Sequence, residues 1–213
     1  MRAADLAPSG RCDLRGTAGV RTLRFAAGDL LVVSGLPGSG KSTLMGRVAA
    51  VPGTVRRIDS QDTRERWAAR LPRLLPYAAY RPLVRLAHYA RLRRALAGGG
   101  SVIVHDCGTQ SWVRGWVAWH ARRRGRALHL LLLDVPAATA LDGQAARGRG
   151  VSPRAFARHL KAVRGLLAGA EAYGPGPAEQ AGTGRVRQLP RGCASAVLLD
   201  RASAEGLEGF VFG

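Results

Sequence analysis

The sequence predicts a three-layer α/β domain in which helices flank a central parallel sheet of about five strands. Two patterns lead there. Short, uninterrupted apolar runs recur along the chain, as strands buried on both faces require, and stretches with helical spacing separate them. Strands alternating with helices call for right-handed crossovers between parallel neighbours. A hydrophobic fraction of 46% in 213 residues is enough for one sizeable core.

Residues 1–20 mix Gly, Pro, Ser and charges without periodicity, so they are expected to form a loose N-terminal segment ahead of a single domain over 21–213. Leu30-Leu31-Val32-Val33 is the first strand expected in that domain, and a weaker run follows at 54–58. Clear runs lie at 101–104 and 128–133, and 196–199 supplies the last strand. Between the first two, 42–50 carries helix formers with Leu44 and Val48 at i and i+4. Pro72, Pro76 and Pro82 are expected to break 71–82 into a turn between two short helices. A helix over 83–96 puts Leu83, Leu86, Ala87 and Ala90 on one face, and the glycines at 98–100 end it. Ser152-Pro153 reads as an N-cap and first helical residue, after which Phe156, Leu160, Val163 and Leu167 share a face up to Gly169. The Gly- and Pro-rich stretch 174–184 reads as a loop.

The net charge is +19, yet Lys41 and Lys161 are the only lysines. Arginine spread through a chain rich in Ala and Gly reads as a solvated basic surface, with a nucleic-acid-binding module as the alternative. Cys12, Cys107 and Cys193 are too far apart for a disulfide framework or a zinc site, and the five histidines have no metal-ligand spacing, which fits a reducing cytoplasm. No apolar leader opens the sequence, and the run 127–135 is broken by His129 and Asp134, so no membrane span is expected.

The most informative segment is Gly35-Leu36-Pro37-Gly38-Ser39-Gly40-Lys41-Ser42-Thr43, which follows the first predicted strand and opens a helix. In G-x-x-x-x-G-K-S each part has a task. The glycines let the backbone curl its amides around the β- and γ-phosphates, Lys41 adds a point charge, and Ser42 offers a hydroxyl to Mg²⁺. The start of the helix turns its positive end toward the same phosphates. ATP with Mg²⁺ is the expected ligand. Asp106, just past Val102-Ile103-Val104, is the candidate to complete the magnesium shell from the carboxyl edge of the sheet, and an ordinary helix cap is its alternative role. Asp134 reads as a helix cap.

With these residues in place, the chain resembles P-loop kinases of the polynucleotide kinase and zeta toxin group. The likeness spans about residues 29–200 and rests on the glycine-rich loop, Asp62-Thr63-Arg64-Glu65-Arg66, the strand-end Asp106 and Arg147-Gly148-Arg149. It implies transfer of the γ-phosphate of ATP to a small molecule, a nucleotide or a nucleic-acid end. It also implies a D-x-x-R arrangement in which the Asp deprotonates the acceptor and the Arg holds it. Here Gln61 stands three residues before Arg64 and cannot act as a base. Asp62 is therefore the candidate base, with Asp59 as its alternative, and Arg64 the acceptor contact. Arg147 and Arg149 correspond to a lid that neutralises the γ-phosphate. The missing Asp at 61 keeps an ATP-hydrolysing switch without an acceptor as a competing reading.

Other signals read as structural. Trp112, Trp116 and Trp119 fall at i, i+4 and i+7, the spacing of a stripe packed on a sheet. Tyr77 and Tyr80 either line an acceptor pocket or pin the Pro-rich stretch. His105 precedes Asp106 on a strand, and alternation is expected to turn it under the sheet.

Overall fold

The computed structural model describes residues 4–17, 19–47, 55–72, 75–106, 110–146, 148, 150–173 and 189–213. Its elements run β1 (Ala4–Leu6), β2 (Gly10–Asp13), β3 (Val20–Phe25), β4 (Leu30–Gly35), α1 (Lys41–Met45), β5 (Val55–Ile58), α2 (Ser60–Ala68) and α3 (Tyr77–Ala97). They continue with β6 (Ser101–Asp106), α4 (Ser111–Arg123), β7 (Leu128–Leu133), α5 (Ala137–Ala145), α6 (Pro153–Glu171), β8 (Ser195–Leu199), α7 (Arg201–Gly206) and β9 (Gly209–Phe212).

The main sheet is six-stranded and parallel, in the order β2-β8-β7-β4-β6-β5. Alternation along each strand divides its apolar residues between two cores. Leu30, Val32, Val102, Val104, Leu130 and Leu132 face one cluster, where Leu92, Val117 and Leu166 from α3, α4 and α6 join them. Leu31, Val33, Ile103, Leu131 and Leu133 face the other. That second face is covered by α1, α7 and a small parallel sheet, β1-β3-β9, which contributes Leu23, Phe25 and Phe210. The chain is an α/β protein with a central parallel sheet, the P-loop NTPase architecture.

Four local expectations need correction. The segment expected to be loose carries two paired strands in its described part: β1 pairs with β3, and β2 pairs with β8 as an edge strand of the main sheet. Gly10-Arg11-Cys12-Asp13 has no apolar run because an edge strand is half solvated, and Arg15 then ties it down through Asp13, Asp134 and Glu171. Asp134 therefore pairs with Arg15, and Pro136 is the N-cap of α5. Pro82 does not break a helix: α3 starts at Tyr77 and runs through it. In the second turn its missing N–H costs one intrahelical bond, and burial of Val84, Leu92 and Leu96 outweighs that loss. Finally, α1 ends at Met45 with Gly46 as C-cap, so the helix expected over 42–50 is short within the described residues. Arg47 fixes that end by donating to the carbonyls of Ala204, Glu205 and Leu207 at the end of α7. The loop expected at 174–184 lies outside the described residues.

Candidate functional site

β4 sits between β6 and β7, so the chain leaving it enters the crevice at the carboxyl edge of the sheet. Leu36 anchors the glycine-rich loop there, buried against Ala140, Phe156 and Val163 of α5 and α6. Gly38 and Gly40 adopt φ of 89° and 96°, which L side chains rarely reach. Gly38 is also tightly confined, since a Cβ there would stand 2.0 Å from the Ala140 carbonyl oxygen. The contact is reciprocal: a Cβ on Gly143 would stand 2.4 Å from the Gly38 oxygen. Gln144 secures the same junction. Its amide donates to the Pro37 carbonyl (3.1 Å), and its oxygen accepts from the Val151 N–H (2.9 Å) ahead of α6.

Within the loop, Lys41 is 3% exposed and its ammonium donates to the carbonyls of Gly35 (2.8 Å) and Leu36 (2.5 Å). The Ser39 hydroxyl is buried and has no hydrogen-bond partner among the described residues. A ligand with acceptor oxygens would satisfy it. Thr43 follows in α1 on its exposed side.

The carboxylate nearest Ser42 is Asp59. It ends β5 and caps α2 by accepting from the Gln61 N–H (2.9 Å), and it also accepts from the Ser42 hydroxyl (3.0 Å). Its other close neighbour is the His105 ring, with Nδ1 3.2 Å from Oδ1. Burial alone would raise the Asp59 pKa, but His105, the Gln61 amide and Ser42 together hold it well below the ordinary carboxylate range. Asp59 is thus a charged, buried hub between the loop and the sheet edge.

Asp62 lies in the first turn of α2, 3.6 Å from Arg57 and outside the cavity lining, whereas Gln61 and Arg64 line the cavity. Asp106 does line it, but its carboxylate already accepts from Arg114 of α4 (2.5 Å), and both groups are at least 90% buried. His105 lines the cavity too, contrary to the expectation that it packs beneath the sheet. At the carboxyl end of β6 the layers no longer close over the strand, and both successive side chains reach the crevice. Arg147 and Arg149 lie outside the described residues, while Gly150 and Val151 beside them line the cavity.

The cavity holds about 460 Å³ and runs from the glycine-rich loop to α2 and α3. The tryptophan stripe on α4 is not core as expected: Trp116 packs on the core, while Trp112 and Trp119 are 54% and 46% exposed. Tyr80 is buried, and the Tyr77 side chain lies outside the described part.

The buried Asp106–Arg114 pair carries a stability prediction. Arg114→Ala strands a desolvated carboxylate and should cost about 3 kcal/mol. Chemical denaturation reads this as a lowered midpoint with unchanged slope.

The sequence profile of the AAA domain family matches residues 30–171, well over half of the chain. The chain belongs to the AAA domain family. It is a P-loop protein of the kinase-like group, and the match covers the glycine-rich loop, Asp59, the strand-end pair His105 and Asp106, and α5. Among solved structures, the tunicamycin resistance protein of Deinococcus radiodurans is similar at 15% identity with a TM-score of 0.42, covering 64% of this chain and 80% of that one. No curated protein matches this AAA domain chain. No described helix is long and apolar enough to cross a membrane.

Proposed function

We propose that this protein is a phosphotransferase that moves the γ-phosphate of Mg·ATP to a hydroxyl on a second substrate bound against α2 and α3. The observation that carries the reading is the continuity of the cavity. One part is walled by Gly38, Gly40, Lys41 and Ser42, and the rest by Gln61, Arg64, Val84, His88 and Tyr89, which a phosphate-binding loop alone does not need. A nucleotide switch without an acceptor would leave that second part without a purpose.

The donor set suits magnesium. A hydroxyl has one proton and two lone pairs, and Ser42 spends its proton on Asp59, which leaves its lone pairs to face a cation. Among the described residues no group of three or more His, Cys, Asp and Glu could hold a metal, which fits an ion bound largely through phosphate oxygens and water. Ser42 would ligate it directly, with Asp59 orienting Ser42 and Asp106 at the cavity wall. Magnesium held there would supply positive charge to neutralise the phosphates.

The chain itself supplies positioning and charge. The amides of 38–41 and the Lys41 ammonium hold the triphosphate. His105 lines the cavity, and its Nδ1, 3.2 Å from Asp59 but without an aligned hydrogen bond among the described residues, needs only a turn of the ring to donate to that carboxylate, which would leave Nε2 able to take the acceptor hydroxyl proton. We therefore assign the proton-accepting role to the Asp59–His105 pair instead of Asp62. Phosphoryl transfer does not demand a strong base, because the proton leaves as the bond to phosphorus is already breaking.

The test is ADP release by the purified full-length chain across a panel of hydroxyl-bearing acceptors. The reading predicts at least tenfold stimulation by some acceptors. Hydrolysis at one rate whatever is added would favour the switch.

A further inference from the structure

α3 turns a distinctive face into the cavity. Arg81, Arg85 and His88 fall at i, i+4 and i+7, so they lie on one side of the helix, with Val84 and Tyr89 beside them. Arg64 of α2 lines the same space, and Arg91 of α3 donates to Thr63 of α2, which holds the two helices together. The arginines of this chain are numerous, but these three converge on one concavity.

For Arg81 and Arg85 no balancing carboxylate is found among the described residues. Asp106, the carboxylate in the lining, is engaged with Arg114, and Asp59 behind it with Ser42 and His105. Neither Arg81 nor Arg85 makes an ion pair with a described residue, and both line the cavity together with Arg64. Arg81 and Arg85 are exposed at the mouth of this concavity, and guanidinium groups that share one concave space repel one another unless an anion joins them, each fork matching two oxygens of a phosphate. Deeper on the same face, the His88 Nδ1 is buried without a hydrogen-bond partner among the described residues. Burial holds His88 below its ordinary pKa, so at neutral pH it is a polar group awaiting a partner and not a further cation. The triphosphate already has the loop amides and Lys41, which come from a different element.

We propose that the acceptor is itself anionic, a small phosphate monoester whose phosphate is gripped by Arg81 and Arg85 while its hydroxyl points to His105. This deepens the phosphotransferase reading and rests on it for the role of the ligand, though the anion site can be measured separately.

The full-length chain, saturated with a non-hydrolysable ATP analogue and magnesium, is titrated with inorganic phosphate and with 5′-AMP in a calorimeter. Both should bind, and Arg81→Ala/Arg85→Ala should weaken both at least tenfold while ATP affinity stays within about twofold. Arg93→Ala, an exposed residue elsewhere on α3, is the control and should change neither. Anion affinity unaltered in the double variant, or no anion binding by the parent, would overturn the proposal. So would a selective loss of ATP affinity, which would make these arginines part of the nucleotide site. A short oligothymidylate that binds at least tenfold tighter than 5′-AMP through the same two arginines would overturn the small-molecule assignment in favour of a nucleic-acid strand. If ATP fails to bind while phosphate still depends on Arg81 and Arg85, the anion site stands and the phosphotransferase reading falls.

Discussion

Gly143→Ala should reduce ATP affinity about a hundredfold although residue 143 lies roughly a hundred positions beyond the phosphate loop. The new Cβ would stand 2.4 Å from the Gly38 carbonyl oxygen, and a backbone oxygen cannot swing aside as a side-chain tip does. Either α5 retreats from the loop, or the loop opens and its amides lose their common focus. Gln144 adds to the effect, because its bond to Pro37 depends on the same spacing. Relief of such overpacking typically costs 1–3 kcal/mol, so the variant should fold with a lowered Tm. Gly165→Ala is the control. Residue 165 lies inside α6 with nothing within 4 Å of its added Cβ, and alanine there should leave ATP binding unchanged and raise stability slightly. Calorimetric titration with Mg·ATP separates the two variants. Equal affinities would show that α5 does not set the loop geometry.

Asp59→Asn should lower turnover by about 10²–10³-fold, while Asp62→Asn leaves it within about twofold. The asymmetry follows from where the two carboxylates are. Asp59 is 3% exposed and meets the Ser42 hydroxyl, the Gln61 amide and the His105 ring. Asparagine keeps the size but brings an NH₂ group to a place that needs acceptors, and it removes the charge that orients the imidazole. Metal affinity should drop about 10–100-fold as well, as when an outer-shell partner is lost. Asp62 faces Arg57 on the flank of α2. Steady-state rates at saturating ATP and magnesium decide the matter, and a larger loss for Asp62→Asn would return the proton-accepting role to that residue.

Local chemistry was legible in the sequence wherever one segment carries it all. The loop from Gly35 to Thr43 announces itself because its glycines, lysine and serine act within nine consecutive residues, and the strands β4, β6, β7 and β8 do so because both their faces are buried. What depends on contacts between distant segments was not legible. β2 is an edge strand whose partner lies more than 180 residues away, so its polar sequence looks like a loop. Gly143 and Gln144 matter only because α5 packs on the phosphate loop, and nothing in Asp-Gly-Gln-Ala hints at that. The spacing D-x-x-R points past Asp59 to Asp62, whereas the carboxylate that reaches Ser42 is Asp59. Sequence spacing also suggested a buried tryptophan stripe. α4 is amphipathic, but its buried face centres on Val113, Val117 and Ala121, and Trp112 and Trp119 share the opposite, exposed side.

The central claim is that the loop from Gly35 to Thr43 holds the phosphates of Mg·ATP through its amides and Lys41. Titration of the parent and of Lys41→Ala with Mg·ATP tests it most directly. The account predicts saturable binding by the parent and at least tenfold weaker binding by the variant, with the fold retained by circular dichroism. Indistinguishable curves for the two proteins, or a parent that binds no ATP, would contradict it.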